Sequence, residues 1–265
     1  MHRNLRYGLM AALLLGATHA HALTLATTVN LRTMDATGMA NGALFSQTIS
    51  STGTGYLDTF LRLGNDPVEE AFNTDYAFHG GAPLDAMSDS RYAAALTLGS
   101  LGTVTKDGVD YYKFALDIND PYGSSERYVS LDVFQLYEAD RDDIPSLSGL
   151  RSEGALMWDM DAVGDMTVLL NSAHPSGSGG EEMQVLVPGS YFAKVDPSKY
   201  LYFYSKFGAT RGTSSSYSSD RGFEDWGSFR WKKHKRPSAA EPATLLLLGG
   251  GLFGLALSRF GRKRA

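Results

Sequence analysis

Between Leu44 and Trp231 the chain alternates apolar and polar positions in short runs, punctuated by Gly, Pro, Asn, Asp and Ser. Period-two alternation over a handful of residues is the signature of a half-buried β-strand. It predicts strands over Leu44–Ile49, Tyr56–Leu63, Tyr111–Ile118, Arg127–Tyr137, Ala155–Met160, Met166–Leu170, Met183–Val187, Tyr200–Phe207 and Gly222–Trp231. In Arg127–Tyr137 the apolar row is Val129, Leu131 and Val133, set against Ser130 and Asp132. Asn119-Asp120-Pro121-Tyr122-Gly123 reads as a turn, so Tyr111–Ile118 and Arg127–Tyr137 are expected to pair. No window keeps a 3.6-residue period for a long helix, and Asp85–Leu96 is expected to carry one helical turn or two. No repeat of about 20–50 residues is visible, which argues against a solenoid or propeller. Roughly ten short strands in about 200 residues predict an all-β body, a single jelly-roll-like β-sandwich over residues 23–230.

The two ends follow other rules. Arg3 and Arg6 precede a short apolar run, Tyr7–Ala17, and Ala20-His21-Ala22 places small residues where signal peptidase cuts. Residues 1–22 are therefore expected to be a signal peptide, with Leu23 the mature N-terminus. At the other end, residues 231–240 form a basic linker that would touch anionic lipid or polysaccharide, or serve as a solvated stalk. An uncharged run, Ala243–Ser258, is followed by Arg259, Arg262, Lys263 and Arg264. Sixteen helical residues reach about 24 Å, a marginal transmembrane span, and the basic stop would keep the tail cytoplasmic with the body outside. Gly250 and Gly254 stand at GxxxG spacing, and Pro242 suits the first turn of the helix. Gly249–Gly254 also satisfies GxGxxG, but it lies inside the apolar run with no preceding strand, so a dinucleotide site is excluded.

Glu241-Pro242-Ala243-Thr244-Leu245, the Leu/Gly/Ala-rich helix and the basic end resemble the PEP-CTERM sorting signal of exopolysaccharide-producing Gram-negative bacteria. Ala240 stands where that pattern usually has its first proline. The resemblance implies an exosortase that recognises Glu241 and Pro242 and removes the helix over 243–258. The precursor would be anchored in the inner membrane and the product delivered to the outer envelope. An ordinary C-terminal membrane anchor is the alternative. The body resembles one group of PEP-CTERM ectodomains through Phe72-Asn73-Thr74-Asp75, Tyr112–Asn119, Leu131–Tyr137, Trp158-Asp159-Met160-Asp161, Gly177–Gly180, Tyr204–Gly208 and Gly222–Trp226. That group implies a shared all-β fold and supplies no catalytic motif.

Composition narrows the chemistry. The 265 residues contain no cysteine, which removes disulfides, thiolate metal sites and cysteine nucleophiles together. From Leu23 to Phe229 there are 13 Lys plus Arg against 28 Asp plus Glu, a balance of −15. So acidic a body is a poor partner for nucleic acid and is compatible with export or with divalent cations. His79, His174 and His234 remain after signal removal, in separate segments with no HExxH, and there is no G-x-S-x-G elbow. The chain is therefore expected not to be an enzyme. A glycoside-cleaving enzyme using two of its carboxylates is the alternative, although the sequence alone selects no pair.

Three acidic or aromatic groupings are candidate sites. Asp159, Asp161 and Asp165 copy part of an EF-hand loop, but Val163 and Leu170 stand where ligands belong. They are expected to hold a structural Ca²⁺ of another geometry, or to be ordinary polar turns. Glu138, Asp140, Asp142 and Asp143 form a second acidic cluster with the same two readings. Tyr200, Tyr202 and Tyr204 would share one strand face, either as a sugar-stacking platform or as packing. The expectation is thus a non-catalytic surface protein associated with exopolysaccharide.

Overall fold

The computed structural model describes residues 28–50, 58–64, 67–78, 81, 83–87, 93–119, 128–172, 181–209, 217–219 and 222–228. The expected signal peptide with Ala20 and Ala22, His79, His174 and His234, the expected linker, and the expected sorting signal with Glu241 and Pro242 lie outside them. No helix among the described residues is long and apolar enough to cross a membrane.

Alternation becomes strand wherever the chain can bury one face. In chain order the strands are β1 (Thr28–Asn30), β2 (Thr37–Ala40), β3 (Ala43–Ser50), β4 (Asp58–Gly64), β5 (Glu69–Phe72), β6 (Leu96–Thr97) and β7 (Thr103–Lys106). They continue with β8 (Val109–Ile118), β9 (Tyr128–Ala139), β10 (Ala155–Asp159), β11 (Thr167–Asn171), β12 (Glu181–Pro188), β13 (Tyr200–Phe207) and β14 (Phe223–Ser228). All nine expected strands are present, and β13 has the expected bounds. The α-helix among the described residues is α1 (Leu147–Glu153), which starts where the Ser146 hydroxyl accepts from the Gly149 N–H. In the Asp85–Leu96 segment, where helical turns were expected, the described residues hold no helix. Ala86 and Ala93 instead bridge to Leu63 and Leu61, guarding the edge of β4.

Two sheets result. The β9 sheet has the order β1-β11-β9-β13-β5, with β10 also on β9 and β6 on β13. The β8 sheet has the order β2-β3-β12-β8-β14-β4, with β7 on β8. Among the described strands only β1 runs parallel to its neighbour, β11. The expected pairing of Tyr111–Ile118 with Arg127–Tyr137 is wrong: β8 and β9 lie in different sheets. A turn signal marks where the chain reverses, and period two marks which face is buried; neither says which strand lies alongside. From β4 onward the chain changes sheet at each step along β4, β5, β8 and β9, stays in one sheet from β9 to its neighbour β11, then changes again through β12, β13 and β14.

The sheets share one core. Phe203 of β13 packs against Phe60, Phe114, Phe134 and Trp226, with ring centroids 5.3, 4.9, 4.3 and 4.7 Å away. Trp226 Nε1 donates across the interface to Ser205 Oγ at 3.1 Å, which satisfies its polar handle inside an apolar layer. One register shift matters for the outer surface. Lys206 pairs with Val133, but Phe207 pairs with Leu131, so β9 bulges at Asp132. Val129 and Leu131 face the shared core, as do Phe134 and Leu136 beyond the bulge. Val133 leaves the row expected for it and packs in a separate cluster with Tyr202 and Tyr204.

Candidate functional site on an outer sheet face

The face of the β9 sheet turned away from the shared core has two halves. In the first, β13 places Tyr200, Tyr202 and Tyr204 on one side of the strand, as expected. They are not a platform. Tyr202 and Tyr204 are 1% and 3% exposed, closed with Phe72, Tyr137, Ile144 and Leu150 beneath the segment that carries α1. Tyr202 Oη donates to the Arg141 carbonyl at 2.7 Å and accepts from the Ile144 N–H at 3.2 Å. Tyr204 Oη donates to Glu70, and Arg151 of α1 lies 6.0 Å over the Tyr204 ring. Burial pushes both phenols well above their ordinary range, and Glu70 adds to the rise at Tyr204.

Phe72-Asn73-Thr74-Asp75 ties this half together. Asn73 Nδ2 donates to the carbonyls of Ala94 and Leu201 at 3.0 and 3.1 Å, and its Oδ1 accepts from the Phe203 N–H at 2.6 Å. Thr74 Oγ1 reaches the carbonyls of Asp142 and Ile144 at 3.2 and 3.0 Å. Asp75 Oδ1 accepts from the Ala95 N–H at 2.8 Å. Here is the physical content of a segment that carried only a resemblance in the sequence: it clamps β5, β13 and the α1 segment.

The acidic groupings make contacts within the chain as well. Asp140 pairs with Lys199, and Arg141 with Asp143 at 2.6 Å. Asp159 Oδ1 accepts from the Asp161 N–H at 3.0 Å, and its Oδ2 from Gln135 Nε2 at 2.9 Å. Asp161 Oδ1 accepts from the Met166 N–H at 2.8 Å. Burial raises Asp161, and the charges of Asp159, Asp165 and Asp132 raise it further. The turn thus brings the three predicted aspartates into electrostatic range. Among the described residues no three His, Asp or Glu side chains are grouped to hold a metal ion. Of the buried carboxyls, Asp225 is raised by burial against the pull of Arg62, whose guanidinium grips it through Nε and Nη2. Glu181 is raised by burial, while Gln184 and Lys113 hold it down.

The second half of the face, over β1, β11 and the start of β9, contains residues that sequence reasoning missed. Arg32, just past β1, lies 5.4 Å from the Tyr128 ring centroid and 5.9 Å from that of Tyr217. Its Nη1 donates to Tyr217 Oη at 3.0 Å, and its Nε and backbone N–H both reach Asn30 Oδ1, at 3.0 and 3.2 Å. Asn171 Nδ2 donates to the Arg32 carbonyl at 3.1 Å. Arg32 and Tyr128 are half-buried and Tyr217 is buried. A guanidinium over aromatic faces is favourable, and here it is also oriented. No spacing links residues 30, 32, 128, 171 and 217, so no local pattern could have flagged them.

No protein-family model, curated protein or solved structure matches this chain.

Proposed function

We propose that this is an exported, non-catalytic surface protein, sorted by Glu241 and Pro242 and associated with exopolysaccharide through the Arg32 half of the β9 sheet. The observation that carries the glycan part is Arg32 held by Tyr128, Tyr217 and Asn30, with Asn171 beside it. The half-buried Tyr128 ring, amides and a guanidinium in one patch suit what a sugar presents: C–H surface and hydroxyls that both donate and accept. The body is proposed to be a jelly roll. Supporting this, strands β4, β14, β8 and β12 are neighbours in that order in one sheet, and β5, β13, β9 and β11 in the other. The alternation of sheets along the chain is that of two nested Greek keys. Lectin domains share that architecture, which is an analogy of fold and not of site.

Two experiments test the proposal. Intact mass and terminal peptides of the protein from its native surface should lack residues 1–22 and the helix after Glu241-Pro242. Retention of Ala243–Ala265 would replace sorting by a permanently anchored ectodomain. Sedimentation with exopolysaccharide isolated from the producing cells should show binding with no release of reducing ends. Release of reducing ends would favour the glycoside-cleaving alternative.

A structural calcium ion belongs to the same proposal only at Asp159, Asp161 and Asp165. There it would have to draw on oxygens that the turn already uses.

A further inference from the structure

We infer that the Arg32 site receives the carboxylate of an acidic sugar residue, such as a uronic acid or a pyruvyl ketal, and so selects acidic over neutral polysaccharide. The inference rests on the glycan reading above and names the class of glycan within it.

The body is rich in acids, and among its described bases Arg62, Arg141, Lys199 and Lys206 each pair with a carboxylate. Arg32 does not. Among the described residues its contacts are an amide, a phenol and two rings, and no carboxylate pairs with it. A guanidinium has five N–H donors. One on Nε and one on Nη1 are used here, and none on Nη2 has a partner among the described residues. Asn30 and Tyr217 hold the side chain in place, so a ligand meets a fork that is already oriented. A fork of that kind matches a carboxylate through two parallel charge-assisted bonds, whereas a hydroxyl takes one. The acid nearest along β9, Asp132, has Oδ2 turned to Ser130 Oγ and the Ala209 N–H, at 2.8 and 2.7 Å.

The test uses the full protein and one polysaccharide in two forms: exopolysaccharide from the producing cells, native and with its carboxyls chemically reduced to alcohols. Binding to the native form is expected to exceed that to the reduced form at least tenfold. Arg32→Gln is expected to lose about the same factor on the native form only. Arg32→Lys keeps the charge without the fork and should recover part of the loss, while Tyr217→Phe, which loosens Nη1 but keeps the ring, should weaken binding less than Arg32→Gln. Equal binding to both forms would overturn the inference and leave the glycan reading standing. Retained binding to the reduced form that Arg32→Gln still abolishes would assign the site to sugar hydroxyls or to another anion, such as sulfate, and also overturn it. Binding to neither form would sink both readings. An Arg32→Gln protein that matches wild type in stability and in binding would remove Arg32 from recognition altogether.

Discussion

The two halves of the β9 sheet's outer face use similar residues for opposite ends. Around β13, tyrosines are closed beneath the α1 segment, with Glu70 and Arg151 at their margin, and Tyr202 both donates and accepts within the chain. Around β1 and β11, an arginine, tyrosines and asparagines meet again, but Arg32 keeps hydrogen-bond donors that nothing in the described chain uses. Completed valence marks a structural role, because removing a partner leaves a buried group unsatisfied. Incomplete valence on a pre-oriented, half-buried group marks a place where something else can bind. Both halves are polar and aromatic, so composition alone would not separate them.

The sharpest way to test the contrast is to break the closed half. Asn73→Ala removes three hydrogen bonds and strands two carbonyls and an N–H in the interior, so a loss of roughly 3 kcal/mol or more is expected in denaturant unfolding. If polysaccharide binding at the Arg32 half changed in the folded fraction, the two halves would not be independent.

Next in size is Tyr202→Phe, which should cost about 1–2 kcal/mol and loosen the α1 segment with no change in glycan binding. Its pH dependence has a definite sign. Burial raises the phenol's folded-state pKa above the unfolded value of about 10, so its contribution is complete below that pH and is lost as pH rises toward the folded pKa. Tyr204 behaves alike. Alkaline unfolding followed by phenolate absorbance should therefore move to higher pH in the double Phe variant, relative to its own stability at neutral pH. An unchanged alkaline limb would mean that these phenols are not closed off.

Asp161→Asn keeps an oxygen for the Met166 N–H and removes a charge raised by burial and by Asp159, Asp165 and Asp132. The raised carboxyl weakens the fold as pH climbs through its folded pKa, so the amide should add about 0.5 kcal/mol at neutral pH. It should also abolish any calcium-dependent rise in Tm. A calcium-dependent rise in the wild type that disappears in the variant would establish the ion site; stabilisation with no calcium effect would leave a polar turn. Arg32→Gln should have the smallest effect on the fold, under about 0.5 kcal/mol, since its structural contacts are partly exposed. A larger loss would make it a structural residue like those of the closed half.

The alternating pattern made nine strands legible, and with them the all-β class. It missed the short strands β1, β2, β5, β6 and β7, at two to four residues too brief for a period to register. It paired β8 with β9 because a turn signal separates them, and a turn signal records a reversal of the chain without recording which sheet the next strand joins. It placed the tyrosine row on one face of β13 but could not tell solvent from α1 above it.

By itself, then, the sequence determined which segments extend and which of their faces turn inward, since backbone geometry ties both to residues two apart. Sheet order, the bulge that turns Val133 outward, and the meeting of Asn30, Arg32, Tyr128 and Tyr217 were decided only by the tertiary structure. Those contacts join residues far apart in the chain, and what selects them is the packing of two sheets on one core, which no local period encodes.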